Sequence, residues 1–309
     1  MPSDPRSMLG LRDLGPERLE SILDRAESLL PVVRDGVALP NPVRPAMVGL
    51  LFLENSTRTR CSFEVAANRL GHRSVVLTGL GSSLDKGESL IDTAANLAAM
   101  GLDALVIRSA IAGGADLVAR NIGIPVVNAG DGRHEHPTQA LLDASTLRAR
   151  LGSLAGKRIL IVGDILNSRV ARSNIHALTA MGATVVLVGP PPLLPWTFAE
   201  FGSGVDVTHD LDGVLDTADA VMMLRIQLER DAGRAVASDY RFAFGLTVNR
   251  LARLGPEVPI LHPGPMNRGV EIDDSVSADI ARSAILEQVA RGVAVRMAII
   301  EAALELPAG

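Results

Sequence analysis

Short apolar runs alternate with helix-like segments along the chain. The first segment has apolar residues at helical spacing behind Pro16, and it predicts an amphipathic helix that buries Leu19, Ile22, Leu23, Ala26, Leu29 and Leu30. Strand-length apolar runs follow at 47–53, 74–78, 104–107 and 125–128, and each is succeeded by a helical or alanine-rich pattern. This alternation is typical of a parallel sheet covered by helices on both faces.

A second series of the same kind begins after a long helical pattern that spans 136–151 and ends at Gly152. Its strand-length runs lie at 158–162, 184–188, 220–224 and 259–261. A last apolar stripe at helical spacing predicts a C-terminal helix with Ile285, Val289, Val293, Met297, Ile300 and Leu304 on one face. We therefore expect an α/β protein with two doubly wound parallel-sheet domains.

The composition narrows the class of protein. Of the 309 residues, 47% are hydrophobic and 21% are charged, as in ordinary packed proteins, and the net charge of -5 opposes binding to nucleic acid. The single Cys61 excludes an internal disulfide, and with six histidines it forms no cluster at zinc-ligand spacing, so we expect no metal and a cytoplasmic location. Glycines and prolines interrupt the uncharged stretch 173–199, so no membrane association is expected.

A segment rich in hydroxyls and arginines follows the first predicted strand. It reads Ser56-Thr57-Arg58-Thr59-Arg60, at the point where the strand gives way to a helix. Ser56 can cap that helix. Unpaired backbone N–H groups at a helix start, the helix dipole, hydroxyl donors and a guanidinium together form an anion receptor, and phosphate is the expected ligand. The alternative is a simple helix cap flanked by surface arginines.

Further candidates follow the next strands. Arg108 ends the third predicted strand, and His136 and Gln139 come after the fourth. Because the carboxyl ends of parallel strands meet at one edge of a sheet, we expect these side chains to converge on the start of the helix at Ser56. For His136 alone, a local hydrogen bond at a helix start is an equally good interpretation.

The second half carries candidates of its own. The segment 162–169 resembles the start of a nucleotide-binding unit but lacks the glycines of a GxGxxG motif, which disfavours an NAD site. Arg225 and Gln227 share a face if the backbone is extended, and such a pair suits a carboxylate, although a solvated loop explains it equally well. Carbonyl groups of the turn His262-Pro263-Gly264-Pro265 can accept hydrogen bonds from an amine or amide, or the turn is purely structural.

The order of these motifs resembles the transcarbamoylase superfamily and, within it, the bacterial type of aspartate carbamoyltransferase catalytic chain. The resemblance runs nearly end to end. The segment 56–60, the loop that contains Lys86-Gly87-Glu88, and His136-Pro137-Thr138-Gln139 are similar to that family's carbamoyl-phosphate site. Read by itself, the Lys86 loop would be an ordinary exposed loop.

The resemblance implies a role for each residue. The phosphate would be held by Ser56, Thr57, Arg58 and Thr59. The carbamoyl oxygen would be contacted by Thr59, Arg108 and His136, with Gln139 near the carbamoyl nitrogen. Ser82 and Lys86 would reach into a neighbouring subunit's site, so the implied assembly is a homotrimer with shared sites. The expected catalytic set is His136, Arg108, Thr59, Lys86 and Arg58.

The resemblance also implies the acceptor. Arg169, Arg225 and Gln227 are similar to aspartate-binding residues, and Pro263, Gly264 and Pro265 to the aspartate enzyme's proline loop, where ornithine enzymes carry His-Cys-Leu-Pro. Gly264 departs from the leucine of some members. The implied reaction is direct carbamoyl transfer from carbamoyl phosphate to the amine of L-aspartate, without a cofactor or covalent intermediate, in pyrimidine biosynthesis.

The implied domains are 1–137 together with a C-terminal helix at 287–309, which bind carbamoyl phosphate, and 138–286, which bind aspartate. Three alternatives stay open at this point: a transcarbamoylase for another amine such as ornithine, a nucleotide-dependent oxidoreductase of similar topology, and a non-catalytic paralogue. The resemblance leaves open whether a regulatory chain or a dihydroorotase-like partner binds the trimer.

Overall fold

The structure is a computed structural model that describes residues 3–40, 42, 44–79, 87–227 and 239–305. Ser82 and Lys86 lie outside the described residues. Contacts divide the chain into two units, Met1–Leu142 with Ala290–Gly309, and Asp143–Val289. The chain passes from one unit to the other twice, and both points lie inside helices, α5 (Pro137–Leu151) and the last helix (Ile285–Leu304). The expected boundaries at 137/138 and 286/287 lie within a few residues of this division and stay a prediction about domains.

Unit 1 contains a parallel four-stranded sheet in the order β2-β1-β3-β4. Its strands are β1 Met47–Phe52, β2 Arg73–Thr78, β3 Ala104–Ser109 and β4 Val126–Asp131, and its first helices are α1 Pro16–Arg34, α2 Thr57–Arg69, α3 Leu90–Ala99 and α4 Gly114–Ala119. All six apolar positions predicted for α1 are buried. The strands β1, β3 and β4 are almost entirely buried, as expected for a sheet covered on both faces.

Unit 2 contains a parallel five-stranded sheet in the order β7-β6-β5-β8-β9. Its strands are β5 Arg158–Val162, β6 Thr184–Val188, β7 Val205–Thr208, β8 Ala220–Met223 and β9 Ile260–Leu261, and its helices include α6 Arg169–Ala180, α7 Val248–Leu251 and α8 Asp274–Ser277. The edge strand β7 was not predicted. Its sequence, Val-Asp-Val-Thr, is short and contains polar residues, and only one of its four residues is buried. The two-domain parallel α/β fold is confirmed.

The last helix, α9, spans Ile285–Leu304. It therefore begins two residues before the expected start at 287 and ends before the expected end at 309, and residues 306–309 lie outside the described range. Val293, Met297 and Ile300 are buried as the stripe predicts, whereas Val289 is half exposed. None of the helices in the described ranges is long and apolar enough to cross a membrane.

Each sheet has a point at which the strand order reverses direction. In unit 1 this point lies between β1 and β3, and in unit 2 it lies between β5 and β8. In open parallel sheets, ligands bind outside the carboxyl ends of the strands at such a point, because the two following connections run to opposite faces and leave a crevice. The segments that follow these four strands are therefore the first places to look for a site.

Candidate active site

Helix α2 begins beside the reversal point of unit 1. Ser56 occupies the N-cap position, as expected, but its hydroxyl makes no capping hydrogen bond to the described residues of the helix. Thr57 and Arg58 are exposed, whereas Thr59 is largely buried. The first turn contains no acidic residue, so nothing in that turn offsets the positive end of the helix dipole. The helix start thus combines backbone N–H groups, hydroxyls and an exposed arginine, the features on which the predicted anion receptor depends.

Arg108 lies next to this helix start through the strand register. It pairs with Phe52 at the end of β1, and its carbonyl accepts the Leu53 N–H at 2.9 Å. Its Nη1 donates to the Ala129 carbonyl at 3.0 Å, and its Nε forms a 3.6 Å ion pair with Glu54. The side chain is mostly buried, so its guanidinium has a defined position at the carboxyl edge of the sheet.

His136 reaches the same edge from the connection between β4 and α5. Its side chain is buried, and its Nε2 lies 3.5 Å from Nη1 of Arg108. Gln139 is also largely buried in the first turn of α5, where its N–H bonds to the His136 carbonyl at 3.0 Å. Arg108 and His136 are therefore brought together, and Gln139 lies one helical turn from His136.

Helix α6 places Arg169 at the corresponding position in unit 2. Ser168 caps α6 by accepting the Ala171 N–H at 3.0 Å, and Arg169 is the first helical residue. Asp164, at the end of β5, accepts from the Asn167 side chain at 2.8 Å and so shapes the turn that leads to the helix. Arg169 consequently begins a helix at the reversal point of the second sheet.

The segment after β8 contains the two other predicted acceptor residues. Arg225 and Gln227 are partly exposed, and Ile226 between them is fully buried, which is the alternation of an extended segment. Gln227 Nε2 donates to the Asn167 carbonyl at 3.4 Å. This contact links the segment after β8 to the segment after β5, on the two sides of the reversal point.

The proline loop follows β9. Pro263 and Gly264 are partly exposed, Pro265 is exposed, and the Gly264–Pro265 peptide bond is cis. Gly264 has φ +65°, in the left-handed region of backbone conformation, which residues other than glycine adopt at a cost of about 1–2 kcal/mol. A glycine at this position, where the resemblance gives leucine in some family members, therefore matches the local backbone.

Sequence reasoning missed the buried polar residues behind these segments. Glu271 and His262 have fully buried side chains in unit 2 and lie 3.3 Å apart. His262 was considered only as part of the turn 262–265, and Glu271 was not singled out, because a lone glutamate carries no motif. Burial raises the pKa of the nearby Tyr240 phenol well above its usual range, and the Glu271 carboxylate raises it further, so this phenol is neutral. Within the described residues, no group of three or more histidine, cysteine or acidic side chains could hold a metal ion.

The arrangement defines a class: a protein of two parallel-sheet α/β units, each with charged and polar side chains at the strand-order reversal where open sheets of this kind bind ligands. Residues 6–149 match the family model for the aspartate/ornithine carbamoyltransferase carbamoyl-P binding domain, and residues 155–303 match the model for the Asp/Orn binding domain of the same family. The chain belongs to the aspartate/ornithine carbamoyltransferase family.

Two curated relatives are each 52% identical over 298 residues. The match to the aspartate carbamoyltransferase catalytic subunit of Rhodospirillum rubrum covers 96% of this chain and 93% of that protein, and the match to the subunit of Myxococcus xanthus covers 96% and 98%. Aspartate transcarbamoylase from Trypanosoma cruzi, solved with carbamoyl aspartate and phosphate, is 29% identical with a TM-score of 0.86 and covers 97% and 96% of the two chains. Ornithine carbamoyltransferase from Pyrococcus furiosus is 27% identical, with a TM-score of 0.83 and 96% coverage of both chains.

Proposed function

We propose that this chain transfers the carbamoyl group of carbamoyl phosphate to the amine of L-aspartate, giving N-carbamoyl-L-aspartate and phosphate. The observation that carries the proposal is the Arg108–His136 pair beside the N-terminus of α2. A guanidinium and an imidazole at this place suit a carbonyl oxygen that becomes negative during attack, next to a phosphate that leaves. The solved relatives from Trypanosoma cruzi include complexes with carbamoyl phosphate and aspartate.

The chemistry needs no nucleophile from the protein. Carbamoyl phosphate is an activated acyl donor, and an uncharged amine attacks its carbonyl carbon directly. The C–O bond to phosphate then breaks, and the departing phosphate takes the proton that the attacking nitrogen loses. Thr59, Arg108 and His136 stabilise the oxyanion, while Gln139 orients the carbamoyl nitrogen. Electrostatic stabilisation of this kind requires donors that are fixed before the reaction, which burial of His136 and most of Arg108 supports.

The leaving phosphate is held by the start of α2. Ser56, Thr57 and Thr59 supply hydroxyls and backbone N–H groups, and Arg58 supplies a guanidinium that forms charge-assisted hydrogen bonds. As the C–O bond breaks, charge grows on the phosphate, and these donors stabilise it. The position of α2 supports this role, because the helix begins at the strand-order reversal of the first sheet, where parallel sheets bind ligands.

Unit 2 binds the acceptor. Arg169, Arg225 and Gln227 bind the aspartate carboxylates, and carbonyl groups of the Pro263-Gly264-Pro265 loop orient its amine. Two curated relatives that are 52% identical to this chain are named for aspartate, which supports aspartate as the acceptor. The proposed product belongs to pyrimidine biosynthesis, in the cytoplasm.

The proposed assembly is a homotrimer in which Ser82 and Lys86 act in a neighbouring subunit's site. The support is the edge strand β2, which contains no fully buried residue although strands of parallel sheets are normally buried on both faces. Val75 and Val76 are 40% and 38% exposed, and Val65 on the neighbouring helix α2 is 42% exposed. A second copy of the chain would cover this apolar surface. A regulatory chain or a dihydroorotase-like partner could join such a trimer.

The test is release of phosphate from carbamoyl phosphate by purified protein with aspartate, with ornithine, or without an acceptor. We expect release that depends on aspartate and that Arg58→Ala abolishes. Arg44→Ala is the matched control, because Arg44 is an exposed arginine paired with Asp103 before β3, at the opposite edge of the same sheet. Release with ornithine alone would contradict the proposed acceptor, and no release with either would favour a non-catalytic paralogue.

A further inference from the structure

The carboxylate of Glu271 is buried directly behind the proline loop. Its side chain is 0% exposed, and one oxygen, Oε1, receives two donors. The backbone N–H of Asn267 donates to it in a short hydrogen bond, and the ring Nε2 of His262 lies 3.3 Å away. Burying a carboxylate is costly, so its retention here calls for a role that a hydrophobic residue would not fill.

The hydrogen bonds of His262 define which ring nitrogen carries the proton. Its Nδ1 accepts the backbone N–H of Gly264 at 2.8 Å, so Nδ1 has no proton. We therefore assign the ring proton to Nε2, which donates to Glu271. Its backbone N–H donates to Gln288 at 2.9 Å, so the residue is fixed on three sides. The imidazole thus connects the Glu271 carboxylate to the backbone N–H of Gly264 through its two ring nitrogens.

The same carboxylate oxygen contacts the residues on both sides of the proline loop. Pro263, Gly264 and Pro265 lie between His262 and Asn267, the two residues that donate to Glu271. A loop of this length with both ends bonded to one buried atom has little freedom to shift.

Asn267 extends the connection to the second acceptor-binding segment. Its side-chain Nδ2 donates to the carbonyl of Ile226 at 2.8 Å. Ile226 lies between Arg225 and Gln227, so a fixed Ile226 carbonyl fixes the backbone from which both side chains extend. The buried Glu271 carboxylate therefore positions two segments of unit 2. It contacts both ends of the proline loop directly, and it reaches the 225–227 segment through Asn267.

We infer that Glu271 is a positioning residue of the acceptor-binding unit of this enzyme. It holds the proline loop and the 225–227 segment in the relative positions that bind aspartate. The inference rests on the proposed function, because that function assigns aspartate to these segments. Glu271 does not touch the substrate in this role. It acts through His262 and Asn267.

Removing the carboxylate should damage aspartate binding selectively. In Glu271→Ala the Asn267 N–H and the His262 ring N–H lose their acceptor, and the proline loop can move relative to Arg225 and Gln227. We expect the KM for aspartate to rise about tenfold to a hundredfold, since unmade buried hydrogen bonds and small displacements of binding groups have effects of this size. The KM for carbamoyl phosphate should not change, because its proposed residues lie in unit 1.

Glu271→Gln separates positioning from charge. The amide oxygen of glutamine can accept both donors, so this variant should restore the KM for aspartate to within about threefold of the unsubstituted chain. Asp219→Ala is the matched control: its carboxylate accepts the Arg158 N–H at 2.8 Å and pairs with Lys157, at the amino edge of the same sheet. It should lower thermal stability without changing the KM for aspartate.

The experiment measures steady-state phosphate release for the full chain and the variants while each substrate is varied in turn, with thermal unfolding of each protein. A selective rise in the KM for aspartate in Glu271→Ala, reversed in Glu271→Gln, supports the inference. If the unsubstituted chain releases phosphate with aspartate but Glu271→Ala keeps its KM, the inference alone is overturned. If the unsubstituted chain shows no release, the proposed function fails and the inference with it.

A further variant covers the case in which Glu271→Ala does not fold. Asn267→Ala removes only the side-chain bond to the Ile226 carbonyl and leaves the backbone donor to Glu271 in place. We expect a smaller, still selective rise in the KM for aspartate. An unchanged KM in this variant, together with an unfolded Glu271→Ala protein, would assign Glu271 to stability and overturn the positioning role.

Discussion

Nη1 of Arg108 lies 3.5 Å from Nε2 of His136, at the edge where β3 and β4 end. The guanidinium is also paired with Glu54 at 3.6 Å, a residue that follows β1. Side chains from three strand ends thus share one position, although 28 residues separate Arg108 from His136 in the chain. Their 3.5 Å separation is short enough for both side chains to contact a single oxygen atom, as the proposed mechanism requires.

His136→Ala should lower turnover by roughly two orders of magnitude, because removal of one oxyanion donor costs about 2.7–4 kcal/mol of barrier. Phosphate release with saturating aspartate measures the effect, and circular dichroism checks that the fold persists. His134→Ala is the control, since this half-exposed histidine, two residues before His136, pairs with Asp131. Near-normal turnover in His136→Ala would remove the residue from the proposed catalytic set.

Arg225→Ala should raise the KM for aspartate and leave the KM for carbamoyl phosphate unchanged. A charge-assisted hydrogen bond to a carboxylate contributes about 1.5–3 kcal/mol, which corresponds to a rise of roughly tenfold to a hundredfold. Varying each substrate separately makes the comparison. Arg253→Ala serves as the control, because that arginine pairs with Asp212 and Asp216. Equal effects of both substitutions would argue against a binding role for Arg225.

Most of the fold could be predicted because central parallel strands are continuous apolar runs and α1 has a regular helical stripe. The edge strand β7 could not, since an edge strand needs few buried residues and leaves a weak pattern. The convergence of Arg108 and His136 also followed from the sequence, as both end segments that lead to one sheet edge. Glu271 could not be predicted, because its role depends on three-dimensional contacts with His262 and Asn267 rather than on spacing.

Val75→Lys should weaken the proposed trimer. A lysine on the exposed face of β2 would have to bury a charge against a second copy of the chain, and a charge in an apolar interface opposes association. Sedimentation of the purified chain measures the species present, and we expect a shift from trimer toward monomer. Val248→Lys introduces the same charge at an exposed valine of unit 2 and should leave the assembly intact. An unchanged trimer in Val75→Lys would place the interface elsewhere.

His72 should make unit 1 less stable as the pH falls. Burial lowers the pKa of its imidazole below the ordinary value of 6.5, and this outweighs the opposite effect of Glu301 and Asp103. Its Nδ1 also accepts the Ala46 N–H at 3.2 Å, which requires the neutral ring. Below about pH 6.5 the unfolded chain therefore binds a proton that the folded chain does not, so the stabilisation present above that pH is lost as the pH falls through the folded pKa.

The matched variant is His72→Asn, whose side-chain oxygen can accept the Ala46 N–H without titrating. Denaturant unfolding of both proteins between pH 7.5 and 5, a range chosen to span the ordinary histidine pKa of about 6.5, isolates the contribution of this residue, because the other histidines are common to both. We expect the free energy of unfolding of the unsubstituted chain to fall more steeply with acid than that of His72→Asn. Parallel curves would mean that the His72 proton equilibrium is not coupled to folding.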